Sequence, residues 1–208
     1  MMKMREKKQD IDPWSAALNH LRSSDTRLAE LIERVGPCQL RPKDDYLATL
    51  AQSIISQQIS AKAAQTIFAR VCEVMPSPWT IASTGLLTSD FLQYCGVSQQ
   101  KRNYLLSLID QVGSGQLELD NLSVLEDEAI ISELTRVKGI GRWTAEMFLI
   151  FALNRPDVLP VADLGIKQAL KLHFDLKEMP KPVESENLTQ HWRPYRSVAM
   201  WYLWRMFD

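Results

Sequence analysis

Apolar residues recur at intervals of three and four along almost the whole chain. The stretch DTRLAELIERVG shows this spacing between a capping Asp25 and a closing Gly36. The same spacing returns in DDYLATLAQSIISQQ, SAKAAQTIFARV, EDEAIISELTRV and DLGIKQALKLHF. No stretch alternates apolar and polar residues for long enough to predict a strand. The sequence therefore predicts an all-α protein with short loops.

Composition bounds the class of protein. With 46% hydrophobic and 24% charged residues, the 208-residue chain is typical of a folded protein. Its formal net charge of -1 excludes a uniformly basic surface, so any nucleic-acid face must be local. The three cysteines form no C-x-x-C pair, which argues against a metal cluster and for a reducing compartment. We expect a cytoplasmic protein with no membrane partner and a flexible tail at residues 1–11.

Two glycines close together interrupt the helical pattern in VKGIGRW. A turn through Gly139 and Gly141 between two helices is a helix–hairpin–helix, whose N–H groups point outward at a helix N-terminus and can hold a phosphate. Lys138, Arg142 and Thr144 could supplement these amides. A plain turn between two helices also explains the glycines, and it is the favoured interpretation of the turn alone.

A proline-rich crossing, NRPDVLPVAD, follows the second hairpin helix and ends at Asp163. An aspartate in this position could simply be the N-cap of the next helix. Next to a phosphate-holding hairpin, however, a carboxylate could stabilise the positive charge that develops on deoxyribose when a base is cleaved from it. Both interpretations remain open at this point.

Several segments together resemble a known family. In order, LAQSIISQQISAKAAQTIFARV, LTRVKGIGRWTAEMF, DVLPVADLGIKQAL and HWRPYRSVAMWYLWR are similar to the helix–hairpin–helix (HhH-GPD) superfamily of DNA glycosylases. The most similar branch is the alkylbase branch, of the 3-methyladenine DNA glycosylase II type. The resemblance implies two helical lobes around a DNA-binding cleft, one formed by residues 12–45 with 156–208 and the other by residues 46–155.

The same resemblance assigns roles to residues. It makes Asp163 the catalytic carboxylate, and it makes Gly139 and Gly141 the phosphate-binding amides. It implies no required cofactor, but a structural sodium or potassium ion at the hairpin. The ligands of that ion would be the main-chain carbonyls of Thr135, Val137 and Ile140.

Two departures from the superfamily favour simple hydrolysis. Bifunctional members carry a Schiff-base lysine on the helix after the hairpin, where this chain has Trp143. Three cysteines also cannot build the four-cysteine cluster of the endonuclease-III-like branch. We therefore expect a monofunctional, monomeric glycosylase whose partner is double-stranded DNA containing alkylated bases.

The base pocket and the residue that fills the gap in the DNA stack follow from the resemblance. Trp143, Met147, Leu164 and Trp204 would line the pocket, where an indole face suits a cationic alkylated purine. Tyrosines that other members place in the pocket are replaced here by Met147 and Leu164. Packing in the core is the alternative for the tryptophans.

Gln58, with Gln57 beside it, falls at the position of the residue that enters the duplex. A capped helix junction at Ser60 is the alternative.

Arg193, Arg196 and Arg205 form a stretch without acids that could face DNA, although Arg196 could equally be structural. Two rival functions also remain: a glycosylase for oxidised or deaminated bases, and a DNA-binding module that performs no chemistry. Asp163 separates the latter from an enzyme, because binding alone needs no carboxylate there.

Overall fold

The structure, a computed structural model, describes residues 13–207 and divides the chain into two compact units. The central unit is Arg41–Arg155, and the terminal unit combines the chain up to Leu40 with the chain from Pro156 onward. Over residues 13–207 the secondary structure consists of α-helices and short 3-10 helices, with no strand. The predicted all-α class is confirmed. The tail predicted for residues 1–11 lies outside the described residues.

The central unit contains six α-helices. They are α3 (Tyr46–Ser56), α4 (Ala61–Cys72), α5 (Ser89–Tyr94), α6 (Gln99–Gly113), α7 (Asp127–Thr135) and α8 (Arg142–Phe151), with 3-10 helices at Ile81–Leu86 and Leu119–Val124. Helix α3 packs against α4, α6 and α8, and α7 packs against α8. Apolar side chains such as Leu50, Ile54, Leu108 and Phe148 are almost completely buried there.

The terminal unit is built from both ends of the described chain. Its helices are α1 (Ser15–Ser24), α2 (Thr26–Val35), α9 (Leu164–His173), α10 (Pro182–Leu188) and α11 (Arg196–Trp204), with 3-10 helices at Gln190–Trp192 and Arg205–Phe207. Helix α11 packs against α1, α2 and α9, and eight of its nine residues are buried. The Tyr202 hydroxyl donates to the Gly36 carbonyl at 2.8 Å, which fixes the end of α2 against α11.

Local sequence signals explain where several helices begin. The side chain of Asp25 accepts from Leu28 N at the start of α2, and that of Ser60 accepts from Ala63 N at the start of α4. Asp45 does the same at the start of α3, and its second carboxylate oxygen accepts from Trp79 N at 2.8 Å.

One boundary differs from the expectation. The central unit begins at Arg41 and not at residue 46, because the segment before α3 is bound to this unit through Lys43 N, which donates to Ala152 O at 3.0 Å.

The proline-rich crossing is non-helical from Asn154 to Asp163, as predicted, and the boundary between the units falls within it. No helix in the described part of the chain is long and apolar enough to cross a membrane.

Candidate active site

The hairpin between α7 and α8 is a tight turn, and one of its two glycine positions requires glycine. Gly139 has φ +94°, and a Cβ at this position would lie 2.2 Å from Cδ2 of Tyr104. Gly141 is the N-cap of α8 and has ordinary extended geometry, with no atom within 4 Å of an added Cβ. The first N–H groups of α8 have no acceptor within the helix. The turn therefore has the amide geometry that an anion site requires.

The side chains around this turn differ from the expectation. Arg142 donates through Nη1 to Glu128 and through Nε to Glu146, each at 3.0 Å. The bond to Glu128 is the main reason that the pKa of Arg142 lies above its usual value, and Arg142 in turn lowers the pKa of Glu128. Thr144 is buried, with 4% of its surface exposed. Of the three side chains predicted to supplement the hairpin amides, Lys138 is the exposed one that forms no ion pair within residues 13–207.

The two glutamines of the turn after α3 have different environments. Gln57 is half-buried, and its Nε2 donates to the Gly139 carbonyl at 2.8 Å. Gln57 therefore braces the hairpin, which is a structural contact that the sequence did not reveal. Gln58 is exposed and has φ +55°, a left-handed conformation that non-glycine residues rarely adopt. Gln58 is thus the glutamine that a DNA duplex could meet.

A cavity of about 520 Å³ opens beside α3 and α8 in the central unit. Trp143 and Met147, two of the predicted pocket residues, line it together with Gln57, Gln58 and Thr144. The remaining lining residues are Lys43, Thr49, Gln52, Ser53, Ser56, Phe148 and Phe151. Trp143 is 43% exposed, so its indole is not a core residue. The volume is sufficient for a purine base.

Asp163 lies at the N-terminus of α9 in the terminal unit, with only 9% of its surface exposed. Its Oδ1 accepts from Ile166 N at 2.8 Å and from the indole Nε1 of Trp204 at 3.1 Å. The aspartate is therefore an N-cap, as the structural alternative held, but a cap does not explain the second donor. Two fixed donors on one oxygen hold the carboxylate plane in a single orientation.

Gly165 lies against the contact between Trp204 and Asp163. A Cβ at Gly165 would lie 3.2 Å from Asp163 Oδ1, tighter than most real contacts, and 3.4 Å from Trp204 Cδ1. The neighbouring Leu164, predicted to line the pocket, is 65% exposed. Trp204 is half-buried and was expected as a pocket wall, and its bond to Asp163 is an additional role. The sequence has no local signal for it, because the two residues are 41 positions apart.

The proposed cation ligands lie at the C-terminal end of α7. Thr135 is the last residue of α7, and the Val137 carbonyl accepts from Ile140 N at 3.0 Å. A carbonyl oxygen has two lone pairs, so this bond leaves Val137 able to bind a cation. Oxygen ligands at the negative end of a helix fit sodium or potassium. Among residues 13–207, no group of three or more His, Cys, Asp or Glu side chains could hold a metal ion.

The three arginines near the C-terminus all have partners within the protein. Asp157 accepts from Arg193 Nε at 2.8 Å and from Arg196 Nε at 2.7 Å, and Arg196 also pairs with Glu186. Arg205 lies 3.4 Å from the centroid of the Trp201 ring. Trp201 is buried and is therefore a core residue. The structural interpretation of Arg196 is likewise correct, and Asp157 and Glu186 offset the charges of Arg193 and Arg196.

Comparisons with known proteins agree on one family. A family model described as the HhH-GPD superfamily base excision DNA repair protein matches residues 51–194. The chain is 31% identical over 202 residues to the alkylbase DNA glycosidase-like protein mag2 of Schizosaccharomyces pombe, covering 93% of each chain.

Two solved structures are also similar. One is the 3-methyladenine DNA glycosylase Mag1 of Schizosaccharomyces pombe in complex with abasic DNA, with a TM-score of 0.80 and 32% identity over 92% of this chain and 96% of that one. The other is a DNA-3-methyladenine glycosidase from Bacillus halodurans, with a TM-score of 0.79 and 34% identity over 94% and 90%.

Proposed function

This chain belongs to the HhH-GPD superfamily of base excision DNA repair proteins, and we propose that it is a monofunctional DNA glycosylase that removes alkylated purines. Its substrate is double-stranded DNA containing bases of the 3-methyladenine and 7-methylguanine type, and its products are the free base and an abasic site. We infer that it acts as a monomer in the cytoplasm, on the nucleoid if the source is bacterial.

The observation that most supports catalysis is the orientation of Asp163. Its Oδ1 is held by Ile166 N and by Trp204 Nε1, which fixes the direction of the carboxylate. During cleavage the electron pair of the C1′–N bond leaves with the base, and positive charge develops on the sugar. A fixed carboxylate stabilises this charge and orients the water that adds to C1′.

The central unit binds the DNA and receives the base. The hairpin amides at Gly139 and Gly141 hold a phosphate together with Lys138, and Gln58 fills the gap left by the extruded nucleotide. The indole of Trp143 attracts a cationic purine by roughly 0.5–2 kcal/mol, which a neutral base does not gain. The carbonyls of Thr135, Val137 and Ile140 would hold a sodium or potassium ion that supplies positive charge near the bound phosphate.

The position of Trp143 supports hydrolysis without strand cleavage, because an indole cannot form a Schiff base. Lys43 does line the same cavity, so the absence of lyase chemistry can be tested directly. Borohydride should trap no adduct between the protein and DNA. A trapped adduct would contradict the monofunctional assignment, and loss of that adduct in Lys43→Met would identify the amine.

The test of function is base release from methylated DNA. Purified protein should release 3-methyladenine or 7-methylguanine and leave strands that break only on later alkaline treatment. Release of an oxidised or deaminated base in preference to these would favour the rival substrate class. Tight binding to damaged duplex with no base released would favour a non-catalytic binding module.

A further inference from the structure

Lys101 on α6 closes the end of another helix. Its Nζ donates to the carbonyls of Ile55 and Gln57, at 2.8 and 2.5 Å, where α3 ends. A positive charge is favourable at a helix C-terminus. The amine is half-buried, and burial lowers the pKa of Lys101 from its usual value. An exposed lysine could make these bonds only transiently, whereas partial burial makes them persistent.

The same face of α6 contacts the hairpin. Tyr104 lies three residues after Lys101 and therefore on the same side of the helix. Its ring occupies the space beside Gly139, where no Cβ could fit. Gln57 connects the end of α3 with the hairpin. Its main-chain carbonyl accepts from Lys101, and the Gln57 side chain donates to Gly139 O at 2.8 Å. One helix face thus braces both elements to which the proposed function assigns DNA contacts.

The carbonyl that Lys101 binds belongs to the peptide that joins Gln57 to Gln58. Gln58 has φ +55°, a left-handed conformation that is unfavourable for a residue other than glycine. A turn with this strain needs contacts that hold it while it is pushed into a stacked duplex. One hydrogen bond from Lys101 is to the carbonyl immediately before the strained residue, and the other is to Ile55, in the last turn of α3.

We propose that Lys101 is a positioning residue that holds the Gln58 turn at a fixed place relative to the hairpin, so that the turn opens the DNA stack at the phosphate that the hairpin binds. This role rests on the proposed function of Gln58 and of the hairpin. Lys101 does not touch the reacting atoms and acts through the Gln57–Gln58 peptide.

The variants separate positioning from simple stabilisation. Lys101→Met removes the positive charge and both hydrogen bonds but keeps a side chain of similar length. Lys101→Arg restores a positively charged hydrogen-bond donor. Lys177→Met, at an exposed lysine of the terminal unit, is the matched control. All variants are assayed at a temperature where circular dichroism shows them folded. If Lys101→Met does not fold, Lys101→Gln, which retains one amide donor, replaces it.

The first measurement compares a methylated purine opposite its normal partner with the same lesion opposite an abasic analogue, where extrusion is easier. Lys101→Met should release the paired lesion about tenfold more slowly and the unpaired lesion within about twofold of wild type. Lys101→Arg should recover most of the paired rate, and adding Gln58→Ala to Lys101→Met should cause little further loss. Equal losses on the two substrates, or additive losses in the double variant, would overturn the proposal.

The second measurement does not depend on base release. The fluorescence of 2-aminopurine placed beside an abasic analogue in a duplex increases when the base stack is opened. Lys101→Met should bind this duplex within about twofold of wild type but brighten it several-fold less. If wild type opens the stack and releases no methylated base, the proposed reaction fails while the role of Lys101 stands. If Lys101→Met brightens the duplex as wild type does, the role of Lys101 fails and the reaction is unaffected.

Discussion

At the scale of single residues, a hydrogen bond distinguishes Asp163 from an ordinary N-cap. An N-cap needs only the bond from Ile166 N, but Asp163 also accepts from Trp204 Nε1, and Gly165 leaves room for that contact. The pattern in the sequence predicted the cap and, through the family, the catalytic role. It could not predict the indole donor, which depends on how α11 packs against α9.

Trp204→Phe tests this contact, because it keeps a ring and removes the N–H donor. We expect base release about tenfold slower, which corresponds to the ~1.4 kcal/mol typical of one hydrogen bond to a charged group. Affinity for undamaged duplex should not change, and single-turnover kinetics separates the two effects. Trp201→Phe, on the same helix, should lower stability without the same loss of rate. A Trp204→Phe enzyme with the wild-type rate would show that orientation by the indole is unimportant.

Trp143→Ala tests the cavity. The indole is 43% exposed and lines the cavity beside Met147. Loss of the cation–π attraction should slow release of 7-methylguanine about fivefold more than release of neutral hypoxanthine, a difference of about 1 kcal/mol. Equal losses on the two bases would reduce Trp143 to a packing residue.

At the scale of elements, helices with a clear cap and a long apolar stripe could be predicted from sequence. Helices α2, α4 and α9 begin immediately after their capping Asp25, Ser60 and Asp163. The short helices α5 and α10, of six and seven residues, could not, because they span fewer than two turns and show no periodicity. Their position depends on tertiary packing and not on a local pattern.

The two hairpin glycines should respond differently to alanine. Gly139→Ala places a methyl group in the Tyr104 ring at φ +94°, so it should destabilise the protein by about 2 kcal/mol or more. Gly141→Ala meets no atom and should leave the melting temperature almost unchanged. Its methyl group beside the amides should nevertheless weaken binding to damaged and undamaged duplex alike, by roughly threefold to tenfold. Loss confined to damaged DNA would assign the hairpin to the base pocket instead.

A buried carboxylate joins three elements of the terminal unit. Asp25 Oδ2 accepts from His173 Nε2 at 2.8 Å, His191 Nε2 at 3.3 Å and Trp192 Nε1 at 3.0 Å. Burial alone would raise the pKa of Asp25, but the bonds from His173, Leu28 N and His191 outweigh it and hold the pKa well below its usual range. A lowered pKa in the folded state stabilises the fold above the ordinary aspartate pKa of about 4, and this stabilisation is lost as the pH falls below it.

Asp25→Asn should therefore destabilise the protein most at neutral pH. Urea unfolding at several pH values between about 5 and 2 should show the free energies of unfolding of wild type and Asp25→Asn converging as the pH falls. A difference that stays constant over this range would mean that the charge of Asp25 contributes nothing to the stability of the fold.

At the scale of the whole molecule, the sequence gives the net charge but not where the charged side chains lie on the surface. The net charge of -1 required any DNA-binding face to be local, and the arginine-rich C-terminal stretch was the obvious candidate. In the structure Asp157, more than thirty residues away in sequence, binds both Arg193 and Arg196, and Glu186 binds Arg196 from ten residues away. Glu128, fourteen residues before Arg142, neutralises it in the same way. Such pairs depend on the fold, which is why the sequence overestimated the basic surface.

Asp163 is proposed to act in catalysis at a position where an aspartate is also explained as a simple N-cap. Asp163→Asn retains an oxygen that can accept from Ile166 N and Trp204 Nε1 but removes the negative charge. The decisive measurement is single-turnover release of 7-methylguanine from methylated duplex by wild type and by Asp163→Asn, with duplex affinity and melting temperature measured in parallel. We predict that release falls by about a hundredfold or more while affinity and melting temperature change little. Release at the wild-type rate would contradict the assignment of Asp163 as the catalytic residue.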